Sequence, residues 1–169
     1  MNNIFLVSIL IAMYFGGFSK ILFFSYTKKT IKKIAFIKEP FDTIMSFGMP
    51  VFELGVPTLF LVLGENIFLY CLITMYYFAF IAMNLSFIYD EVDCCCYGKF
   101  IKSKLGLGGV IHYLYYLCID FLAMYCCFFN GKIVNIEIQD NIMVRYGMAL
   151  LLCVFGLMYR RILELVVKN

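Results

Sequence analysis

The sequence predicts an all-α fold, a polytopic membrane helix bundle with four to five transmembrane helices, five favoured. Hydrophobic residues make up 64% of the 169-residue chain and charged residues 15%, against about half and about a quarter in soluble domains. The apolar residues also gather into five segments, each near the roughly 20 residues that a helix needs to cross a bilayer. Little chain is left for a soluble domain, so residues 1–169 read as a single integral membrane domain.

The first segment runs from about Ile4 to Phe24. Its start has neither the basic n-region nor the small-residue cleavage site of a secretory signal, so it reads as a retained helix. Next, KKTIKKIAFIK sets Ile31, Ile34 and Ala35 at helical spacing among lysines, and Pro40 closes it. That pattern suits a short interfacial helix whose Lys28 to Lys38 face anionic lipid headgroups. It is too short and too apolar to suggest nucleic acid as a partner.

The second segment spans about Phe41 to Leu63 and the third about Ile67 to Tyr89. The intervening GEN is so short that the two must form an antiparallel hairpin. DEVDCCCYGKF and KSKLGLGGV follow, the latter read as a flexible link into a fourth segment at about Val110 to Phe129. Its GLGG has no accompanying phosphate or dinucleotide motif. NGKIVNIEIQDN reads as loop or short strand before a fifth segment at about Ile142 to Tyr159, where Arg145 must snorkel to the headgroups.

Topology follows from lysine and arginine in the short loops. With five spans, Lys28, Lys29, Lys32, Lys33 and Lys38 fall on the same membrane face as Lys99, Lys102 and Lys104, and as Arg160, Arg161 and Lys168. The other face has only Lys132. The count predicts an outside N-terminus and a cytoplasmic DCCCYG.

Two carboxylates lie inside predicted spans, where an unpaired acid costs roughly 2.5 kcal/mol or more. Glu53 is bracketed by Pro50 and Pro57, and Lys20 is the nearest cation able to pair with it. The pair reads either as a structural tie between helices or as a functional carboxylate. Asp120 has Tyr116 one turn before it on the same helical face, so the phenol is positioned to hydrogen-bond the acid. A functional acid and a merely satisfied one are both open readings.

Cys94, Cys95 and Cys96 admit three readings: a redox pair, a metal site, or inert small hydrophobes. Rings closed by such near neighbours are strained and exchange readily. Lys99 and, if the loop folds back, His112 would favour a thiolate. Zinc ligands are usually spaced more widely than three consecutive cysteines, so no metal is assigned. Cys126 and Cys127 end the fourth segment on the far face, with Cys71 beginning the third there. A thiol relay across the membrane would need a mobile carrier such as a quinone. Cys71, Cys118 and Cys153 individually read as apolar filling.

Three pieces in register, FSK (Phe18 to Lys20), PVFELGV (Pro50 to Val56) and CCCYG (Cys94 to Gly98), resemble the MauE family within the broader DoxX-like set. That family has a Ser-Lys ending the first helix, a mid-helix Glu in the second, and Cys-x-Cys-Phe-Gly after the third. The resemblance covers about the first 130 residues. Tyr97 stands where the family has Phe, and Ile119 and Asp120 stand where it often has Arg before a polar residue. The resemblance implies a redox-associated envelope protein, linked to methylamine dehydrogenase maturation through disulfide formation.

The leading expectation is an accessory thiol-disulfide protein of a bacterial cytoplasmic membrane. Cys94 and Cys96 exchange electrons with a thioredoxin-like partner or an exported cysteine-containing substrate, and Lys20, Glu53 and Asp120 form a buried polar site that could serve a quinone. The alternative is a noncatalytic membrane subunit or small transporter, with Glu53 and Asp120 handling protons or cations. Metal handling by the cysteines with His112 comes third. Oxidation of exported substrates calls for outside thiols, whereas the lysine count places them inside.

Overall fold

The computed structural model describes residues 3–35, 40–88, 92–94, 96–97, 100, 103–128 and 142–167. These form an all-α bundle. Four helices are long and apolar enough to cross a membrane: α1 (Ile4–Leu22), α3 (Phe41–Leu63), α4 (Ile67–Ser86) and α5 (Leu107–Phe128). A final helix, α6 (Ile142–Val167), contains the fifth predicted segment and continues past it. The segment NGKIVNIEIQDN, Cys95, Lys99 and Lys102 lie outside the described residues.

α1 is the most deeply buried of the four and packs against α3, α5 and α6. Asn3 caps it, accepting from Leu6 N–H at 3.3 Å, and the same side chain donates to the Ala123 carbonyl of α5 at 2.7 Å. Such a cap satisfies one of the four orphan N–H groups at a helix start. α1 stops at Leu22 rather than Phe24, because the chain turns at Phe23 and a separate helix, α2 (Phe24–Ala35), begins at once. α2 starts earlier than the lysine pattern suggested. Thr27, Thr30 and Ile31 are buried while Lys29, Lys32 and Lys33 are exposed, and Phe24 meets Phe47 of α3 at 4.6 Å between ring centroids. Hydrophobic burial along one stripe of α2 thus fixes it onto α3.

α3 runs unbroken through Pro50 and Pro57. Each proline removes one backbone donor. The turn at Gly64, with φ +75°, and the Asn66 side chain, which accepts from Phe68 N–H at 2.9 Å, reverse the chain into α4 as the GEN spacing predicted. α4 then packs along α5. Their contact depends on Gly109, where an added Cβ would lie 1.8 Å from Asn84 Oδ1.

Between α4 and α5 the chain forms a two-stranded antiparallel hairpin, β1 (Asp93–Cys94) and β2 (Ser103–Lys104), pairing Cys94 with Ser103. Of the expected flexible link KSKLGLGGV, Ser103 and Lys104 form β2, and Leu107 to Val110 are already the first turn of α5. Gly106, at φ +125°, gives its N–H to Asn84 Oδ1 at 3.3 Å, which allows α5 to start at Leu107. A non-glycine residue would be strained there.

Candidate functional site: a disulfide seated on a buried ion pair

The site is assembled where α1 and α3 approach most closely. Gly16 and Gly17 remove side-chain bulk from α1, so that an added Cβ at Gly17 would come within 2.8 Å of Leu54 and one at Gly16 within 3.3 Å of Glu53 Oε2. Small residues at helix contacts allow this approach in membranes. Lys20, one turn on, reaches into the gap. Its Nζ lies 2.6 Å from each Glu53 carboxylate oxygen, and the two side chains are only 1% and 7% exposed. Tyr76 of α4 donates its phenol to Glu53 Oε1 as well. Mutual pairing plus these hydrogen bonds offsets the desolvation of the two charges.

The third proton of the Lys20 ammonium goes to the Cys96 carbonyl at 2.7 Å, which anchors the hairpin to the ion pair. Cys94 and Cys96 are joined by a disulfide across the single residue between them, with their Cα atoms 5.6 Å apart. Both are buried. The phenol of Tyr113 on α5 donates to Cys96 Sγ at 3.0 Å, and the Cys96 N–H donates to Cys94 Sγ at 3.3 Å. A small cavity of about 20 Å³ lies among Glu53, Tyr76, Cys96 and Tyr113. That is enough for one water molecule, which needs about 10–15 Å³.

His112 does not serve the sulfurs. Its Nδ1 faces the Gly156 carbonyl at 3.2 Å, so this nitrogen carries the hydrogen and Nε2 accepts from the Tyr97 hydroxyl at 2.9 Å. Burial pushes the Tyr97 phenol well above its ordinary range, against a lowering pull from Arg160, so it stays a donor. The 100° turn between successive helical residues explains the exchange of roles: His112 sits between Tyr97 and the Gly156 carbonyl, and Tyr113 reaches the Cys96 sulfur.

The expected bond between Tyr116 and Asp120 is also replaced. Tyr116 turns its hydroxyl to the Cys153 carbonyl of α6 at 3.4 Å, and neighbouring Tyr115 bonds the Leu152 carbonyl at 2.9 Å. Gly156 lets the α6 backbone come close enough to draw both phenols away. Asp120 is instead bonded by Thr74 Oγ1 of α4 at 2.6 Å, and it shares no hydrogen bond with Lys20 or Glu53. The three-residue polar site expected from sequence is therefore a Lys20–Glu53–Tyr76 cluster with Asp120 apart from it.

Cys126 and Cys127 are free, partly buried thiols in the last turn of α5, and Cys71, Cys118 and Cys153 are free too. Among the described residues no three His, Cys, Asp or Glu side chains are grouped so as to hold a metal ion. Sequence reasoning missed Tyr76, Tyr113 and the Gly16–Gly17 seat. The glycine pair was a readable signal, since adjacent small residues in a span mark a helix contact. The tyrosines were not, because 13 tyrosines in the chain give no reason to single out two. Comparison with family models, curated proteins and solved structures returns no match to this chain.

Proposed function

We propose that the protein is a membrane thiol-disulfide protein in which Cys94 and Cys96 exchange electrons with a thioredoxin-like partner or an exported cysteine-containing substrate. The carrying observation is the Cys94–Cys96 disulfide held at its Cys96 end by two groups, Tyr113 on the Cys96 sulfur and Lys20 on the Cys96 carbonyl. This fits a MauE-like accessory role in a bacterial cytoplasmic membrane.

A partner thiolate attacks Cys94 Sγ, a mixed disulfide forms, and Cys96 leaves as a thiolate stabilised by the Tyr113 O–H. The partner's second thiol then attacks its own sulfur in the mixed disulfide. The partner gains a disulfide, and Cys94 and Cys96 take up two electrons and two protons. Asp93, next to Cys94 in β1, is exposed, and this reading takes its side of the hairpin as the side of approach. The two-residue strands carry few backbone hydrogen bonds, so β1 opens at lower cost than a helix turn.

The test is to trap the intermediate. In Cys96→Ala, non-reducing gels of membranes should show an adduct through Cys94. No adduct, with full function in a Cys94, Cys95, Cys96 triple-alanine variant, would sink the proposal. The ion-coupling alternative draws on Asp120, whose Oδ1 has no hydrogen-bond partner among the described residues. It requires Asp120→Asn to abolish ion uptake while the triple-alanine variant keeps it.

A further inference from the structure

The disulfide cysteines line an apolar cavity of about 660 Å³ between α2, α3 and α4. That volume lies within the roughly 300–1,000 Å³ of small-molecule sites. Ile44 and Met45 stand at its rim, 60% and 43% exposed on a helix apolar enough to cross a membrane, so the opening faces lipid. Phe52 and Tyr76 form a flat wall, their rings stacked with centroids 5.0 Å apart and planes 14° apart. Cys94 and Cys96, both buried, belong to the same lining.

We propose that this cavity binds a lipophilic quinone that reoxidises the Cys94–Cys96 dithiol, an inference that rests on the thiol-disulfide reading above. The apolar lining admits a lipid-soluble oxidant and turns away a charged, water-soluble one. A planar ring matches the Phe52–Tyr76 wall, since aromatic faces stack in offset geometry. A phospholipid acyl chain also matches the lining, yet it has no use for a disulfide in that lining or for a flat wall. In the reaction the two thiols lose two electrons and two protons as the S–S bond forms. The quinone takes both electrons and receives the protons on its two ring oxygens, and the quinol leaves into the bilayer.

The experiment uses the full chain, purified in phosphatidylcholine nanodiscs, reduced and desalted, with decylubiquinone as the probe and thiol-labelling gel shifts as readout. Gly48 and Ala79 line the cavity, and an added Cβ at Gly48 meets nothing within 4 Å, so Gly48→Phe grows into free space. Ala79→Phe is the second filling variant. Decylubiquinone should restore the disulfide well ahead of buffer alone. Each filling should slow it by about tenfold, equivalent to roughly 1.4 kcal/mol of binding, while diamide oxidises all three proteins alike. No acceleration in the unsubstituted protein would leave the cavity to acyl chains, and equal rates in both variants would put the quinone elsewhere. Either result overturns the proposal. A trapped partner adduct without a quinone effect would overturn it and spare the thiol-disulfide reading; loss of both would remove both.

Discussion

Lys20 Nζ lies 2.6 Å from both carboxylate oxygens of Glu53, a buried pair linking the end of α1 to the middle of α3. Because the same ammonium holds the Cys96 carbonyl, the Cys94–Cys96 hairpin and the helix bundle share one electrostatic anchor.

Lys20→Met should therefore be severely destabilising, by about 3–5 kcal/mol, because it leaves the Glu53 charge buried without a cation. Adding Glu53→Met should recover most of the loss, since two apolar side chains need no pairing. Thermal unfolding in detergent checks this. A double variant no more stable than the single one would contradict the ion-pair account.

Tyr113→Phe removes the hydroxyl that donates to Cys96 Sγ and keeps the aromatic ring. A net hydrogen bond is worth about 0.5–1.5 kcal/mol, so release of Cys96 from the disulfide should slow by a few-fold to about tenfold. Timed quenching of the exchange reaction on gels measures it. An unchanged rate would remove Tyr113 from the chemistry.

Gly17→Ala places a methyl group 2.8 Å from Leu54 carbons and pushes α1 from α3. Overpacking of this kind costs about 1–3 kcal/mol. Combining it with Leu54→Ala should cost less than the two separate penalties added together, because the residues share one contact. Strict additivity in unfolding measurements would place the close approach elsewhere.

The lysine distribution predicts that α2 faces the cytoplasm. In intact cells a membrane-impermeant maleimide should label Glu65→Cys in the α3–α4 turn and spare Lys29→Cys on the exposed side of α2, read on a background lacking the free native thiols. The reverse pattern would invert the topology and place the disulfide outside.

Much of the architecture was legible in the residues. Hydropathy located α1, α3, α4 and α5 to within a few residues, and the GEN spacing identified their one tight hairpin. The ends were less legible, since the break at Phe23 and the early start of α2 depend on packing against α3 rather than on composition. Lys20 with Glu53 was readable because a buried acid demands a cation, and few cations are within reach.

The partners of the other polar groups were not readable. Tyr116 and Asp120 share a helical face, yet α6 draws the tyrosine and Thr74 of α4 takes the acid. His112 and Tyr113 are neighbours in sequence, and only the rotation of α5 decides which of them meets the sulfur.

By itself the sequence determined the membrane character, the position of the apolar helices and the chemical demand of each buried charge, because these depend on composition and local spacing. The tertiary structure decided which groups meet that demand and brought an apolar cavity to Cys94 and Cys96. Hydrogen bonds and cavities arise between helices, and their geometry depends on how the backbones approach, at Gly16, Gly17, Gly109 and Gly156 above all.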